Sequence, residues 1–521
     1  MKQLSTIVLL CLSAFGQTTY SNPARYSGAV SYGNVPQQLS QGENVYCTAG
    51  AGTEKIEGTP TWGAADGVAQ LPARCINTAV ASTPSPGATI NVAANDSTGF
   101  TSALASVQCG QTIQLTANSS YTAPNGGFVF PALSCDGAHW ITIKSSGVSD
   151  ANFPAEGVRA TPCIAGISND ATNGYNAPGY PSYSCPSYPA VLTAKLLTNT
   201  TNQPAIQMAS GANHYRFIGI EITKQAEVKP GQLVSMTTDG GTQGANHVIF
   251  DRVVLHGQPW TMASTSNAET QAGINVNNTQ WFAFINSWNY DTYCNGGCVD
   301  SQAIGGGTGA YASGPFKVYN NLLATSGESL IFGGGGQGIG TPNPQDLEAR
   351  ANHSFKPLVW MIPIEACGAV NQVVPKNLGE FKNMVSALLE GNVFENSWQG
   401  CQSDQTGFAF LLSPKNQNNK ASIVVNFDGS ATATRVSGGN FIHSCGNNPS
   451  CSPADAANCP PGGCILEVGG VDYRFCNGSN GCAQAGDLTT TATLTTTVPA
   501  ASGVAATTCV PGDCPSCKVQ T

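Results

Sequence analysis

The chain has 521 residues, of which only 10 % are charged and 60 are glycine, and its net charge is −9. So few charges exclude a helical bundle, Val, Ile and Phe are too frequent for disorder, and the abundant Asn, Ser, Thr and Gln suit an all-β protein with many turns. The acidic balance sets aside nucleic acid and an anionic membrane as main partners, and it makes any polyanionic ligand dependent on local neutralisation.

The N-terminus, MKQLSTIVLLCLSAFGQ, has a basic start, a short apolar run and small residues before Gln17. It reads as a signal peptide over 1–16, so a secreted or cell-surface protein is expected. No later segment is apolar for long enough to predict a membrane span. Residues 17–85 read as an extended lead-in rich in Gly, Ser, Thr and Pro. Twenty cysteines in an exported chain read as disulfides. Cys514 and Cys517 have zinc-like spacing, but no second pair matches them.

Residues 86–444 form the repeat region. In NDSTGFTSALASVQCG, Asp96 or Ser97 can cap a helix over 97–109 whose Phe100, Ala103, Leu104 and Val107 share a face. Gly110 ends the helix, and a strand starts at Thr112–Leu115. Beyond 210, short β-type runs recur. Placed on one register, Gly219, Arg252, Ser287, Asn321, Asn352 and Asn392 fall at equivalent positions, spaced 33, 35, 34, 31 and 40 residues apart. A second set of runs lies between them: QAGINVN, DSQAIGG, ESLIFGG, LGEFKN and TGFAFLLS. Two strand families at this period predict a solenoid whose coils stack into long parallel sheets. The stretch GPFKVYNNLLATSGESLIFGGGG is one coil, with a bend at Asn320–Asn321 and a glycine exit. Asn321, Asn352 and Asn392 are expected to form a ladder that hydrogen-bonds the turns, and His256, before Gly257, reads as a turn residue. The helix covers the open N-terminal end of the stack. Residues 445–521 form a Cys-rich extension with a Thr/Ala-rich tail.

On FTSALASVQCGQTIQL, DSQAIGG, GPFKVYNN, GESLIFGG, NHSFKP, GEFKN and LLEGNVFENSW, residues 90–440 resemble the right-handed parallel β-helix proteins of the pectate-lyase-like superfamily. They are closest to exported bacterial members known mainly by fold. The resemblance implies an all-β right-handed parallel β-helix with an N-terminal capping helix. It does not fix an activity, because the fold hosts lyases, hydrolases, esterases, epimerases and adhesins. The polygalacturonase motifs are absent, Leu255-His256-Gly257 being the nearest approach, and so is the Asp-His motif of well-known pectate lyases.

Enzymes of this fold use the outer face of one sheet. An inward Phe381 would place Glu380 and Lys382 outside, and strands starting at Asp300-Ser301-Gln302 and Glu328-Ser329 would stack nearby. Asp300, Gln302, Glu328, Glu380 and Lys382 thus form one expected outer strip. β-Elimination from a uronate needs a neutralised carboxylate and a base. Calcium on Asp300 and Glu328 is the candidate for the first and Lys382 for the second, with Glu380, Asp300 and Glu328 as further catalytic candidates and no organic cofactor. Hydrolysis would instead use two of the carboxylates. Gln302, His353 and Lys356 are candidate substrate contacts, the latter two overhanging the groove. The bland alternative makes Glu380 and Lys382 a solvated ion pair. Trp281, Trp288, Trp360 and Trp398 read as core before sugar platforms. The leading expectation is a secreted, monomeric polysaccharide lyase acting on an acidic polymer. A glycoside hydrolase is the nearer alternative, and a non-catalytic adhesion rod the more distant one.

Overall fold

The computed structural model describes residues 74–397 except 168–182, 184, 186–190, 238–242, 262, 299, 335–342, 358–359, 361–372 and 383, together with 72, 409–412, 464–468, 471–476 and 488–489. The expected signal peptide, the lead-in before residue 72 and the Cys-rich extension, save three short strands, lie outside the described residues.

Each coil runs through three strands, one in each of three sheets, here called A, B and C. Sheet A has nine strands, running from Thr89–Val92 and Thr112–Leu115 to Val385–Glu390. Sheet B has eight, from Ser119–Thr122 to Val393–Glu395, which sets the number of complete coils. Sheet C runs from Phe128–Phe130 to Phe410–Leu412 and continues into Val471–Cys476, which pairs antiparallel with Cys464–Val468. All other pairings between these sheets' strands are parallel, and the coil has the right-handed sense that such crossovers take. The expected two strand families are three. In the coil quoted above, Asn320 splits the first run into Phe316–Tyr319 (sheet A) and Leu322–Thr325 (sheet B), before Glu328–Phe332 in sheet C.

Alternation puts every second residue of a strand inside, where parallel pairing stacks like on like. In sheet A, Val248 pairs with Phe282, Phe282 with Phe316 and Phe316 with Leu347, all fully or almost fully buried. Phe217 and Phe250 stack one coil apart, their ring centres 4.5 Å from each other. The N-terminal end is closed by a helix, α1 (Ser97–Ser106). The Asp96 side chain caps it by accepting from the Gly99 N–H, and Phe100 fits among Tyr121, Phe128 and Phe130.

The corner between sheets A and B corrects the register read from sequence. Gly219, Arg252, Asn286, Asn320, Ala351 and Gly391 all have positive φ, between 50° and 66°. A single left-handed residue turns the chain there, so Ser287, Asn321, Asn352 and Asn392 sit one place after the column that holds Gly219 and Arg252. Left-handed backbone suits Gly and Asn, while Arg252 and Ala351 adopt it under strain. The next position carries the expected ladder. Asn392 Oδ1 accepts from the Asn352 N–H (3.0 Å), Asn352 Oδ1 from the Asn321 N–H (3.0 Å) and Asn321 Oδ1 from the Ser287 N–H (2.9 Å). Each amide nitrogen donates in turn to a strand carbonyl, as Asn352 does to Val318 at 2.7 Å.

Two outer faces are roofed. Residues 74–85 cross sheet A, where Ile76 packs with Ile249, Ala283 and Tyr319. Arg216 donates to the Thr78 carbonyl there and Lys317 to that of Ile76. Residues 146–167 cover sheet B together with Leu192, and there Phe153, Ile164 and Leu192 meet Val254, Trp288 and Leu322. Sheet C has no comparable apolar roof among the described residues. Its outer face shows Val129, half exposed at 50 %, and the partly exposed Gln207 and Asn275. Cys109–Cys135, Cys163–Cys185 and Cys294–Cys298 are disulfides, as the cysteine count led one to expect.

Candidate functional site

The outer face of sheet C carries the charged strip. Phe381 points into the main core, its ring centre 4.9 Å from Phe410 and 6.1 Å from Phe332, which turns Glu380 and Lys382 outward. Gln302 is the register partner of Glu328, and Ile331 that of Glu380, so Glu380 lies further along the sheet than Glu328. The strip is therefore a diagonal, and the turn before Glu380 spans it. Lys376 Nζ lies 2.9 Å from Asp300 Oδ1 and 2.8 Å from Glu328 Oε1. Asn377 Nδ2 donates to Glu380 Oε2 at 3.0 Å, and Glu380 Oε1 is 3.4 Å from Lys382 Nζ. Glycines flank the strip. A side chain at Gly305 would collide with Gln302 and Ile331, and one at Gly334 with the stem of Lys382. Gln302 therefore folds back over its own strand.

Access divides the cluster. The Asp300 side chain is 38 % exposed, Lys382 27 % and Lys376 18 %, whereas Glu328 is fully buried. Burial pushes the Glu328 carboxyl well above the usual range, and the Asp300 charge adds to that. Burial acts on Asp300 in the same sense, but the hydrogen bond from Glu328 and the Lys376 charge outweigh it and hold Asp300 below its ordinary value. Lys376 is also disfavoured by burial, yet the two carboxylates hold its ammonium firmly charged. The two carboxyls are pushed in opposite directions, buried Glu328 upward and accessible Asp300 downward. Two carboxyls so separated have the chemistry that an acid–base pair requires. Glu380, only 5 % exposed, is not half of a solvated ion pair.

Three expected site residues are placed elsewhere or out of reach. His353 is fully buried on sheet B, its Nε2 2.9 Å from Glu395 Oε2, so it does not overhang the sheet C groove. Lys356 is also fully buried, because its ammonium is drawn to the backbone. Its Nζ lies 3.0, 2.7 and 2.6 Å from the carbonyls of Thr325, Ser326 and Gly327, and 3.4 Å from that of Asn377. Burial pulls its pKa down to about 7. It fastens the turn that presents Glu328, and as placed it touches no solvent-side ligand. Glu328 itself can act only through Asp300. His256 ends the strand Val254–His256 and is not a turn residue. Its ring stacks on Tyr290 and its Nε2 is 3.1 Å from Glu221. Trp288 and Trp360 are core, Trp281 stacks on His247, and Trp398 lies outside the described residues. Lys376, which the sequence reading passed over, is the hub. Its one signal in sequence is a second lysine on the other side of Glu380 from Lys382.

Among the described residues no group of three or more His, Cys, Asp or Glu side chains converges as a metal site would. No protein-family model matches the sequence, and neither does any curated protein. Solved structures that resemble parts of the chain include two lyases. An alginate lyase from Paenibacillus sp. str. FPU-7 is 12 % identical with a TM-score of 0.36, over 62 % of this chain and 87 % of that one. Pectate lyase Pel9A is 14 % identical with a TM-score of 0.33, over 68 % of this chain and 87 % of that one. Likeness at that level carries no argument about activity, and the architecture rests on this chain's own strand pairing. By that pairing the chain is a right-handed parallel β-helix, closed at its N-terminal end by a capping helix.

Proposed function

We propose that the chain is a carbohydrate-active enzyme, a lyase that cleaves an acidic, uronate-containing polysaccharide by β-elimination on the outer face of sheet C. The observation that supports it most is the gathering of accessible Lys382 and Asp300 around buried Glu328, on a face with no apolar roof among the described residues. Lys382 is the base assigned to the C5 proton. The C5–H electrons form the C4–C5 double bond as the C4–O bond breaks, and the departing oxygen takes the proton that Glu328 passes on through the Asp300 carboxylate. Disulfides such as Cys109–Cys135 and Cys163–Cys185 are compatible with the export that the N-terminus suggests.

Ultraviolet absorbance of the unsaturated product, followed over a panel of uronate polymers, tests this reading. A rise that is lost in both Lys382→Ala and Lys382→Arg assigns Lys382 as the base. A rise that survives in Lys382→Arg makes it a counter-charge instead. Hydrolysis, expected from the sequence as the nearer alternative, is the second reading, and new reducing ends without ultraviolet absorbance would reveal it. If neither signal appears on any polymer, both enzyme readings fail for that panel and a non-catalytic binding rod is left.

A further inference from the structure

The two carboxylates to which calcium would fall from sequence already share a cation. Calcium takes six to eight oxygen ligands at about 2.3–2.6 Å. Asp300 Oδ1 and Glu328 Oε1 instead both face Lys376 Nζ, at 2.9 and 2.8 Å. An ammonium and a metal ion cannot occupy that space together, and Glu328 offers no second accessible oxygen because its whole side chain is buried. The lysine is fixed from its own backbone, since the Lys376 N–H donates to the Ser326 carbonyl at 2.8 Å in the turn just before Glu328. Its neighbour Asn377 is held on one side by Glu380 and on the other by the Lys356 ammonium. The position of Nζ is thus built by the fold and is not an accident of a surface side chain.

We infer that Lys376 Nζ is the resident cation of this site, so that the chain supplies from within itself the positive charge that a divalent metal would bring. The inference rests on the site as read above and extends it. One ammonium proton is donated to Asp300 Oδ1, Nζ lies 2.8 Å from Glu328 Oε1 as an ion pair, and the Lys376 side chain keeps an 18 % exposed edge beside Asp300. A uronate carboxylate docked beside Asp300 would meet that edge, and neutralising it makes the C5 proton more acidic without any change in metal content.

Metal binding and melting temperature of the full chain test this without any need for activity. The wild-type protein is titrated with calcium after treatment with a chelator, alongside Asp300→Asn, Lys376→Met and the double variant. The expected wild-type result is a melting temperature indifferent to calcium and chelator, or a calcium response identical in Asp300→Asn and therefore belonging to another place. Lys376→Met leaves the carboxyl pair without its counter-ion. It should melt about 5 °C lower and regain part of that loss in millimolar calcium, a recovery absent from the double variant. Calcium binding by the wild type that disappears in Asp300→Asn would overturn the inference. So would a Lys376→Met protein that melts like the wild type and ignores calcium. If Lys376→Met does not fold, the wild-type and Asp300→Asn titrations still decide the matter. Failure to find unsaturated products would count against the lyase reading alone, because none of these measurements depends on turnover.

Discussion

Lys356 offers the sharpest test of how this site is held. Its side chain is fully buried, and three backbone carbonyls lie within 3.0 Å of its Nζ. A pKa lowered from 10.5 to about 7 corresponds to a burial penalty on the order of 5 kcal/mol for the charged form. Against it stand three charge-assisted hydrogen bonds worth roughly 1.5–3 kcal/mol each. The two nearly cancel, so the consequence of Lys356→Met turns on the carbonyls left behind. Ser326 keeps a second donor in the Lys376 N–H, so the loss falls mainly on Thr325 and Gly327. At about 1–3 kcal/mol for each unsatisfied buried group, and with some relaxation, the variant should lose about 2–4 kcal/mol and melt roughly 5–10 °C lower near neutral pH.

The pH dependence has a definite sign. Between the folded value near 7 and the higher unfolded value, the unfolded chain holds the Lys356 proton and the native one does not. Native stability from this group therefore rises with pH: the penalty is fully present below the folded value and gone above the unfolded one. Met has no such penalty, so the gap between wild type and variant should widen from about pH 6 to about pH 9.5. Thermal melts followed by circular dichroism at several pH values read both quantities. A variant as stable as the wild type at neutral pH, or a gap that narrows as pH rises, would refute this account of the cage.

Other expectations are simpler. Asp251 is buried between Arg216 and Arg252, with a nitrogen of each 2.7 Å from the same carboxylate oxygen, so Asp251→Asn should cost about 3–5 kcal/mol in denaturant titrations. Burial raises the Asp251 carboxyl, but both guanidiniums overcome that and lower it. Its contribution is present above the ordinary carboxylate range and lost as pH falls through the lowered folded value, so an acid scan should show the wild type converging on the variant. Ala351 turns a corner at φ 55°, so Ala351→Gly should stabilise by about 0.5–1 kcal/mol, while Gly391→Ala at the same corner should destabilise by about as much. Asn352→Ala removes an acceptor used twice by Asn321 and a donor to Val318, and should cost about 2–3 kcal/mol in the same titrations.

Sequence alone determined the architecture, because its causes are local and repeat. Alternating apolar residues recur coil after coil, the later bends carry an Asn directly after a left-handed residue, and Asp96 with Phe100 and Leu104 announces the cap. Even the outward face of Glu380 and Lys382 followed from Phe381, since a strand has only two faces. The one-residue error in register arose because the bend column changes residue type: Gly219 and Arg252 carry the left-handed turn themselves, whereas the later Asn ladder stands just beyond it. What only the tertiary structure decided is which charges meet. Lys376 and Lys356 lie in turns and at strand ends, where no period constrains them, and each reaches groups on another coil. Stacking brings residues tens of positions apart within hydrogen-bonding distance, and the free energy of a buried charge depends on those neighbours and not on its place along the chain.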